Sequence, residues 1–237
     1  MLFRAPPSIP LKISVIVPAY NAEEYIEEAI VSVIQSCSYE LEVVAILDNR
    51  STDKTSEKLV SLSQKLSNLV LLDANKRSGN VASMLNLGLQ HSRYSLIARQ
   101  DADDISMPGR LDRQLEYMVR TGIDLVGCDY VVVDSEGRRI RRDRKSRSEA
   151  FTYNGDPMLH GTWLFSKKAI LDFGGYNEAY RYGQDTELLR RISKEKPTAI
   201  GKLRKQLYCW RETDSQVTNV HSREQSQFIL NAVKSIP

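Results

Sequence analysis

Three carboxylates fall within four residues at Asp101-Ala102-Asp103-Asp104. The apolar stretch 94–98 precedes them, and Ser106-Met107-Pro108-Gly109-Arg110 follows as a helix start. At a strand end such charges repel one another unless a cation sits among them. Aspartate oxygens are the hard ligands that Mg²⁺ or Mn²⁺ takes, usually one or two carboxylates plus a substrate's phosphates. The same residues also fit a solvated acidic turn in which one Asp caps the next helix.

Other residues change the weight of that cluster. Tyr20 ends an apolar run, where its ring can stack on a planar base; a half-buried loop tyrosine is the plainer alternative. Asp48 can accept a hydrogen bond from an imide N–H, which uracil and thymine have and adenine lacks. An Asx-turn explains the same residue equally well. Asp185 opens an amphipathic segment, where an acid stabilises the helix dipole and caps the first turn.

The elements that must position these groups alternate along the first half. Residues 13–17 are a β-branched run ended by Pro18, as in a buried parallel strand. Asn21 offers an N-cap, and Ile26, Ala29, Ile30, Val33 and Ile34 recur at helical spacing. Residues 41–47, 69–72 and 96–98 read as further strands. Helices are expected around Leu59, Leu62 and Leu66, over 81–90, and around Leu111, Leu115, Met118 and Val119. Such alternation predicts an α/β, doubly wound, mainly parallel sheet with helices on both faces. Ligands then bind beyond the carboxyl ends of the strands, where Pro18-Ala19-Tyr20-Asn21, residues 48–53 and residues 101–104 all fall. The second half is less regular. Strands are expected over 125–133 and 162–166, and helices over 167–172, 186–194 and 224–234. Residues 208–218 read as polar and aromatic.

Composition bounds the rest. The 237 residues are 41% hydrophobic and 27% charged, as in a globular protein with an ample core. Of the +3 net charge, the run from Arg138 over 138–147 holds seven basic residues and one acidic, which leaves the remainder at −3. That run reads first as a solvated connection. Attraction to anionic lipid headgroups ranks second, at about 1 kcal/mol per basic side chain, and nucleic-acid binding last. Cys37, Cys128 and Cys209 match no zinc or redox spacing, so reduced thiols in a cytosolic compartment are expected. The first ten residues lack an apolar h-region, and no stretch approaches the ~20 apolar residues of a membrane span.

In order and spacing, the motifs resemble family 2 glycosyltransferases with the GT-A fold. The matching residues are Val15-Ile16-Val17-Pro18-Ala19-Tyr20-Asn21, Asp48 with Ser51-Thr52-Asp53, and Ala98-Arg99-Gln100-Asp101-Ala102-Asp103-Asp104. Further on, Gly174-Gly175-Tyr176 precedes Gln184-Asp185. The resemblance covers roughly residues 12–218. It implies a single GT-A domain over 1–237: a nucleotide-sugar half over about 12–135, an acceptor half over about 136–218, and a C-terminal helix over 219–237. The chain is short for that family beyond the acceptor half, which leaves open a further membrane-associating segment.

The resemblance also implies roles. Tyr20 lies against the uracil of a UDP-sugar, with the backbone at Pro18 and Ala19 on the base edge and Asp48 on the base. The family usually has two adjacent acids where this chain has Asp48-Asn49. Asp103 ligates Mn²⁺ or Mg²⁺, with Asp101 beside it and near the ribose or donor sugar. Arg77, Arg99 and Arg211 (in Trp210-Arg211) are candidate contacts to the diphosphate; surface arginines are the plainer reading of Arg77 and Arg99. Asp185 is the general base, since inverting transfer needs one carboxylate to take the acceptor hydroxyl's proton. Many relatives have Glu-Asp where this chain has Gln184-Asp185. His160, Thr162, Trp163, Tyr182 and Gln184 would line the acceptor pocket, although a Trp after a loop is more often core.

The expected activity is therefore inverting sugar transfer from a UDP-sugar, or less readily a dTDP-sugar. The acceptor would be a glycan or a polyprenyl-diphosphate-linked hydroxyl in bacterial surface-polysaccharide synthesis. A cytoplasmic protein with peripheral contact at the inner membrane face through residues 138–147 completes the expectation. The rivals are a non-catalytic glycan- or nucleotide-sugar-binding relative and a sugar nucleotidyltransferase; the latter would carry a Gly-rich basic loop that Pro18-Ala19-Tyr20-Asn21 is not.

Overall fold

The computed structural model describes residues 11–140, 152–153 and 156–213. In chain order its strands are β1 (Lys12–Ala19), β2 (Glu40–Leu47), β3 (Leu69–Asp73), β4 (Leu96–Arg99), β5 (Ile105–Ser106) and β6 (Leu125–Val133). They continue with β7 (Thr152–Tyr153), β8 (Asp156–Pro157), β9 (Leu164–Ser166) and β10 (Ile200–Arg211). The helices are α1 (Ile26–Gln35), α2 (Thr55–Lys65), α3 (Val81–His91), α4 (Arg110–Thr121), α5 (Lys167–Asp172) and α6 (Gln184–Glu195).

Eight strands form one sheet in the order β3-β2-β1-β4-β9-β6-β10-β5, and β7 and β8 form a separate antiparallel pair. Strands β3, β2, β1 and β4 run parallel, as do β6 and β10. Short β9 lies antiparallel between β4 and β6. Alternation along β1 explains the two layers. Ile13, Val15 and Val17 face a core filled by α1, α2 and α4. Ile16, with Val44 and Ile46 of β2, faces a second core filled by α3, α5 and α6. Burial on both faces is why these strands read as continuous apolar runs. The carboxyl ends of β1, β2 and β4 open on one rim.

Several expectations need correction. Asn21 does not cap α1: it holds a φ of 43°, and its side-chain oxygen accepts the Thr52 N–H at 2.8 Å. The helix begins five residues later, at Ile26. Asp104 does not cap α4, whose start follows Gly109 in the left-handed region. The strand expected over 162–166 shortens to β9, because His160–Thr162 forms a 3-10 turn. The polar, aromatic segment from Tyr208 is the end of a long strand, β10. Register shifts around Gln206 break its alternation and hide it from a period-2 reading. In the basic run, Arg138 pairs with Asp134 and Glu136 in the turn after β6. Residues 141–147 and the expected helix over 224–234 lie outside the described residues.

Candidate active site

The rim begins at β1 and β2. Their register sets Pro18 beside Ile46 and Ala19 beside Leu47, and the Ala19 carbonyl accepts the Asp48 N–H at 2.9 Å. Tyr20 then projects with 48% of its surface exposed, while Asp48 is 2% exposed. The following loop is fixed from both sides: Ala22 N–H donates to Thr55 at 2.7 Å, and Glu23 N–H to Asp53 at 2.9 Å. Asp48 accepts four hydrogen bonds, three from Arg50 and one from the Gly79 N–H. Burial alone would raise its carboxyl; the Arg50 guanidinium and these N–H groups outweigh that and hold it below the usual range. The same guanidinium lies 5.3 Å from the Tyr20 ring centre.

At the end of β4 the acidic cluster rests on three buried arginines. Arg99 donates to the carbonyls of Ile16 (3.0 Å) and Gln100 (2.9 Å) and to the Asp101 carboxylate (2.6 Å). Arg110 donates to the Arg99 carbonyl at 2.6 Å, to Gln100, Ser106 and Gln114, and stacks over Tyr208. Arg211 clamps the loop itself. Its N–H donates to Asp104 at 2.7 Å, and its guanidinium to the Asp103 carbonyl at 2.8 Å and to Glu28 at 2.5 Å, over the Tyr25 ring. Asp104 is fully enclosed. Burial, then the charges of Asp103 and Asp101, push its carboxyl well above the ordinary range, against the Arg211 N–H and the Tyr208 hydroxyl.

The opposite wall comes from the turn before β9 and from α6. A Cβ built at Gly161 would stand 2.3 Å from the Tyr208 hydroxyl and 2.6 Å from Asp101 Oδ2, so only glycine lets this turn approach the cluster. Beside it His160 Nε2 meets the Tyr176 hydroxyl at 2.8 Å. Burial, reinforced by Arg99, holds the imidazole well below its usual pKa and therefore neutral. Asp185 stands at the first turn of α6. Burial raises its carboxyl, with Asp101 adding to the rise and the Thr186 N–H and Arg99 opposing it. Asp101, Asp185, Arg99 and Tyr176 thus form one electrostatic neighbourhood.

Residues 14–195 match the model of Glycosyl transferase family 2. This chain belongs to glycosyl transferase family 2. EpsE of Bacillus subtilis (strain 168) is 32% identical over 188 residues, which cover 78% of this chain and 67% of EpsE. The O-antigen biosynthesis glycosyltransferase WbnJ of Escherichia coli is 26% identical over 188 residues, covering 78% of this chain and 73% of WbnJ. The fold matches S. aureus TarS 1-349 in complex with UDP-GlcNAc at a TM-score of 0.69 and 19% identity, over 95% of this chain and 73% of TarS. The UDP complex of TarS 1-349 gives 0.68 at 21% identity, over 95% of this chain, which spans 66% of that one. The architecture is GT-A.

The family 2 chain arranges its expected residues unevenly. Tyr20 and Asp48 are adjacent at one end of the rim, and Asp101, Asp103 and Asp185 stand at the other. Tyr182 lies within electrostatic reach of Arg50, so the loop that leads into Gln184 and Asp185 of α6 also borders the end where Asp48 and Tyr20 stand. Arg99 and Arg211, read as diphosphate contacts, are each 2% exposed; the terminal nitrogens of Arg99 and the guanidinium of Arg211 donate to protein oxygens. In this structure they support the acidic loop. Arg77 folds back on α3, donating to the Ser83 carbonyl and to Gln90, both at 3.4 Å. Trp163 and Thr162 present nothing to an acceptor: Trp163 is core, packed edge-on to His160, and the Thr162 hydroxyl donates to the Leu159 carbonyl. His160 is buried but supports Tyr176.

Sequence reasoning missed Arg50, Arg110 and Tyr176 as parts of this site. Tyr176 was within a quoted motif, directly after Gly174-Gly175; the two arginines carried no local signal. A concavity of about 510 Å³ opens between α3 and α6, near Asn86, Gly175, Glu178 and Arg191. Its polar groups bond to one another, as Asn86 does to Tyr176 and Glu178, and Arg191 to Glu187. It holds none of the rim carboxylates.

Proposed function

We propose that this family 2 protein transfers a sugar, with inversion, from a UDP-sugar or dTDP-sugar to a hydroxyl of a glycan or lipid-linked acceptor. The observation that carries the reading is that Asp101, after β4, and Asp185, at the start of α6, lie within electrostatic reach of one another, beside the rim where Asp48 and Tyr20 stand. Support for the donor class also comes from TarS, whose structures hold UDP and UDP-GlcNAc. Support for the acceptor class comes from relatives named for O-antigen, amylovoran and minor teichoic acid biosynthesis.

Tyr20 supplies a ring face for the base, and Asp48 an acceptor for its imide N–H. Asp185 takes the proton of the acceptor hydroxyl as that oxygen bonds to the anomeric carbon. The bond to the diphosphate breaks in the same displacement, and its electron pair leaves with the nucleotide. One displacement inverts the centre, so one carboxylate base suffices. The raised pKa of Asp185 makes it a stronger base than an exposed aspartate.

A divalent cation fits the acidic end. Three carboxylates, Asp101, Asp103 and Asp104, share one loop there, and the charges of Asp103 and Asp101 add to the burial that drives Asp104 towards its neutral form. Asp101 and Asp103 would hold Mn²⁺ or Mg²⁺ together with ligand oxygens, because among the described residues no three acidic, His or Cys side chains form a complete cage. When bound, such an ion neutralises charge growing on the leaving diphosphate.

A thermal-shift panel of nucleotide sugars, with and without Mn²⁺, tests the reading. A ligand that binds only the native form raises the melting point. The expected result is a Mn²⁺-dependent rise with UDP- or dTDP-sugars; equal shifts with adenine nucleotides would overturn it.

A further inference from the structure

The seat proposed for the base already has an occupant. A carboxylate offers roughly four acceptor directions, and all of those on Asp48 are in use. Oδ1 accepts the Arg50 N–H at 2.9 Å and Nε at 3.2 Å; Oδ2 accepts Arg50 Nη2 at 3.0 Å and the Gly79 N–H at 2.8 Å. Two of these four bonds come from the guanidinium. It also lies over the ring of Tyr20, with 5.3 Å between Cζ and the ring centre. A stacked base would need that face, and a base lying between the two would need more room than this separation leaves. Gly79 forms the floor, since a Cβ there would stand 2.5 Å from Arg50 Cζ. The guanidinium thus copies two features of a bound uracil or thymine ring: N–H groups aimed at Asp48 and a planar group placed over Tyr20.

We infer that Arg50 is a displaceable plug of the base seat, which must swing off Asp48 and Tyr20 before a pyrimidine imide can bind. The inference rests on the donor reading above and adds a residue that sets its affinity. The side chain can move, because half of its surface faces solvent while the Asp48 side chain is 3% exposed. Asp48 cannot follow it. A ligand that evicts the guanidinium must therefore return an N–H to a buried carboxylate, or leave that charge short of partners. An imide can do so; a base without an N–H at that edge cannot.

Uridine is the right probe, because it lacks phosphates that a loose arginine could attract. Calorimetric titration with uridine and with UDP would compare the native chain, Arg50→Ala and Arg50→Gln, with circular dichroism confirming the fold of each. Removing the plug is expected to tighten uridine binding about tenfold, or about 1.4 kcal/mol, in both variants. Unchanged or weaker uridine binding in the variants, with UDP still bound by the native chain, overturns the plug and leaves the donor reading standing. If no protein binds UDP or dTDP, the donor reading fails and the plug with it. A crystal structure with UDP in the seat and Arg50 still forked on Asp48 also overturns the plug.

Discussion

Asp101 and Asp185 come from different elements, the end of β4 and the start of α6, yet the charge of the first raises the carboxyl of the second. Gly161 sets the turn before β9 against Asp101. A carboxylate beside the acidic loop, made more basic by burial and by that neighbour, is the arrangement that a proton-accepting group requires. From it follow predictions that separate catalytic, electrostatic and structural roles.

Asp103→Asn should weaken the Mn²⁺-dependent part of UDP binding by at least about tenfold and leave the metal-independent part nearly intact. Titrations with and without the ion check this. Equal Mn²⁺ dependence in both proteins would remove Asp103 as a ligand.

The pH profile should carry the signature of a raised carboxyl. If Asp185 is the base, it must be deprotonated to act, so kcat/KM should fall as pH drops through a value above the ordinary carboxylate range. In Asp101→Asn the neighbouring charge is gone, and the acid limb of the residual activity should move to lower pH. A limb that stays in place would uncouple the pair.

Stability should respond to Asp104. Its folded-state pKa lies above the unfolded value of about 3.9, so the folded form binds more protons between those two values. Stability is full below the unfolded pKa and declines as pH rises towards the folded one. Asp104→Asn should flatten that decline, as read from Tm against pH. An unchanged slope would mean the carboxyl ionises freely in the fold.

Trp163 tests the corrected acceptor wall. As a fully buried core residue, its change to Ala should cost about 3–5 kcal/mol of stability. Trp163→Phe should keep the acceptor KM within about threefold, since no indole face meets the acceptor. A large rise in KM with the fold intact would return the ring to the pocket.

Much of this was legible in the sequence, and the exceptions share a cause. The alternation through α4 could be read because strands buried on both faces and helices buried on one have distinct periods. Tyr20, Asp48, Asp103 and Asp185 stood out through the motifs that carry the family resemblance, which fall at or just beyond the ends of elements. Strand β10 did not, since Lys202, Arg204 and Lys205 interrupt its apolar residues and bulges near Gln206 shift its register. The arginines were the larger miss. Burying Arg99, Arg110 or Arg211 depends on carbonyls from distant segments, such as Ile16, Asp134 and Ser135, that converge only in the fold. Local sequence cannot tell such a guanidinium from an exposed one. Arg50 is the converse case: an ordinary loop arginine until Tyr20 and Asp48 are placed beside it.

The central claim is that Asp185 takes the proton, and release of UDP from a panel of UDP-sugars by Asp185→Asn tests it most directly, alongside Mn²⁺-dependent UDP binding. The account predicts binding within about twofold of the native chain and turnover reduced by at least about 100-fold. Turnover at the native rate would contradict it.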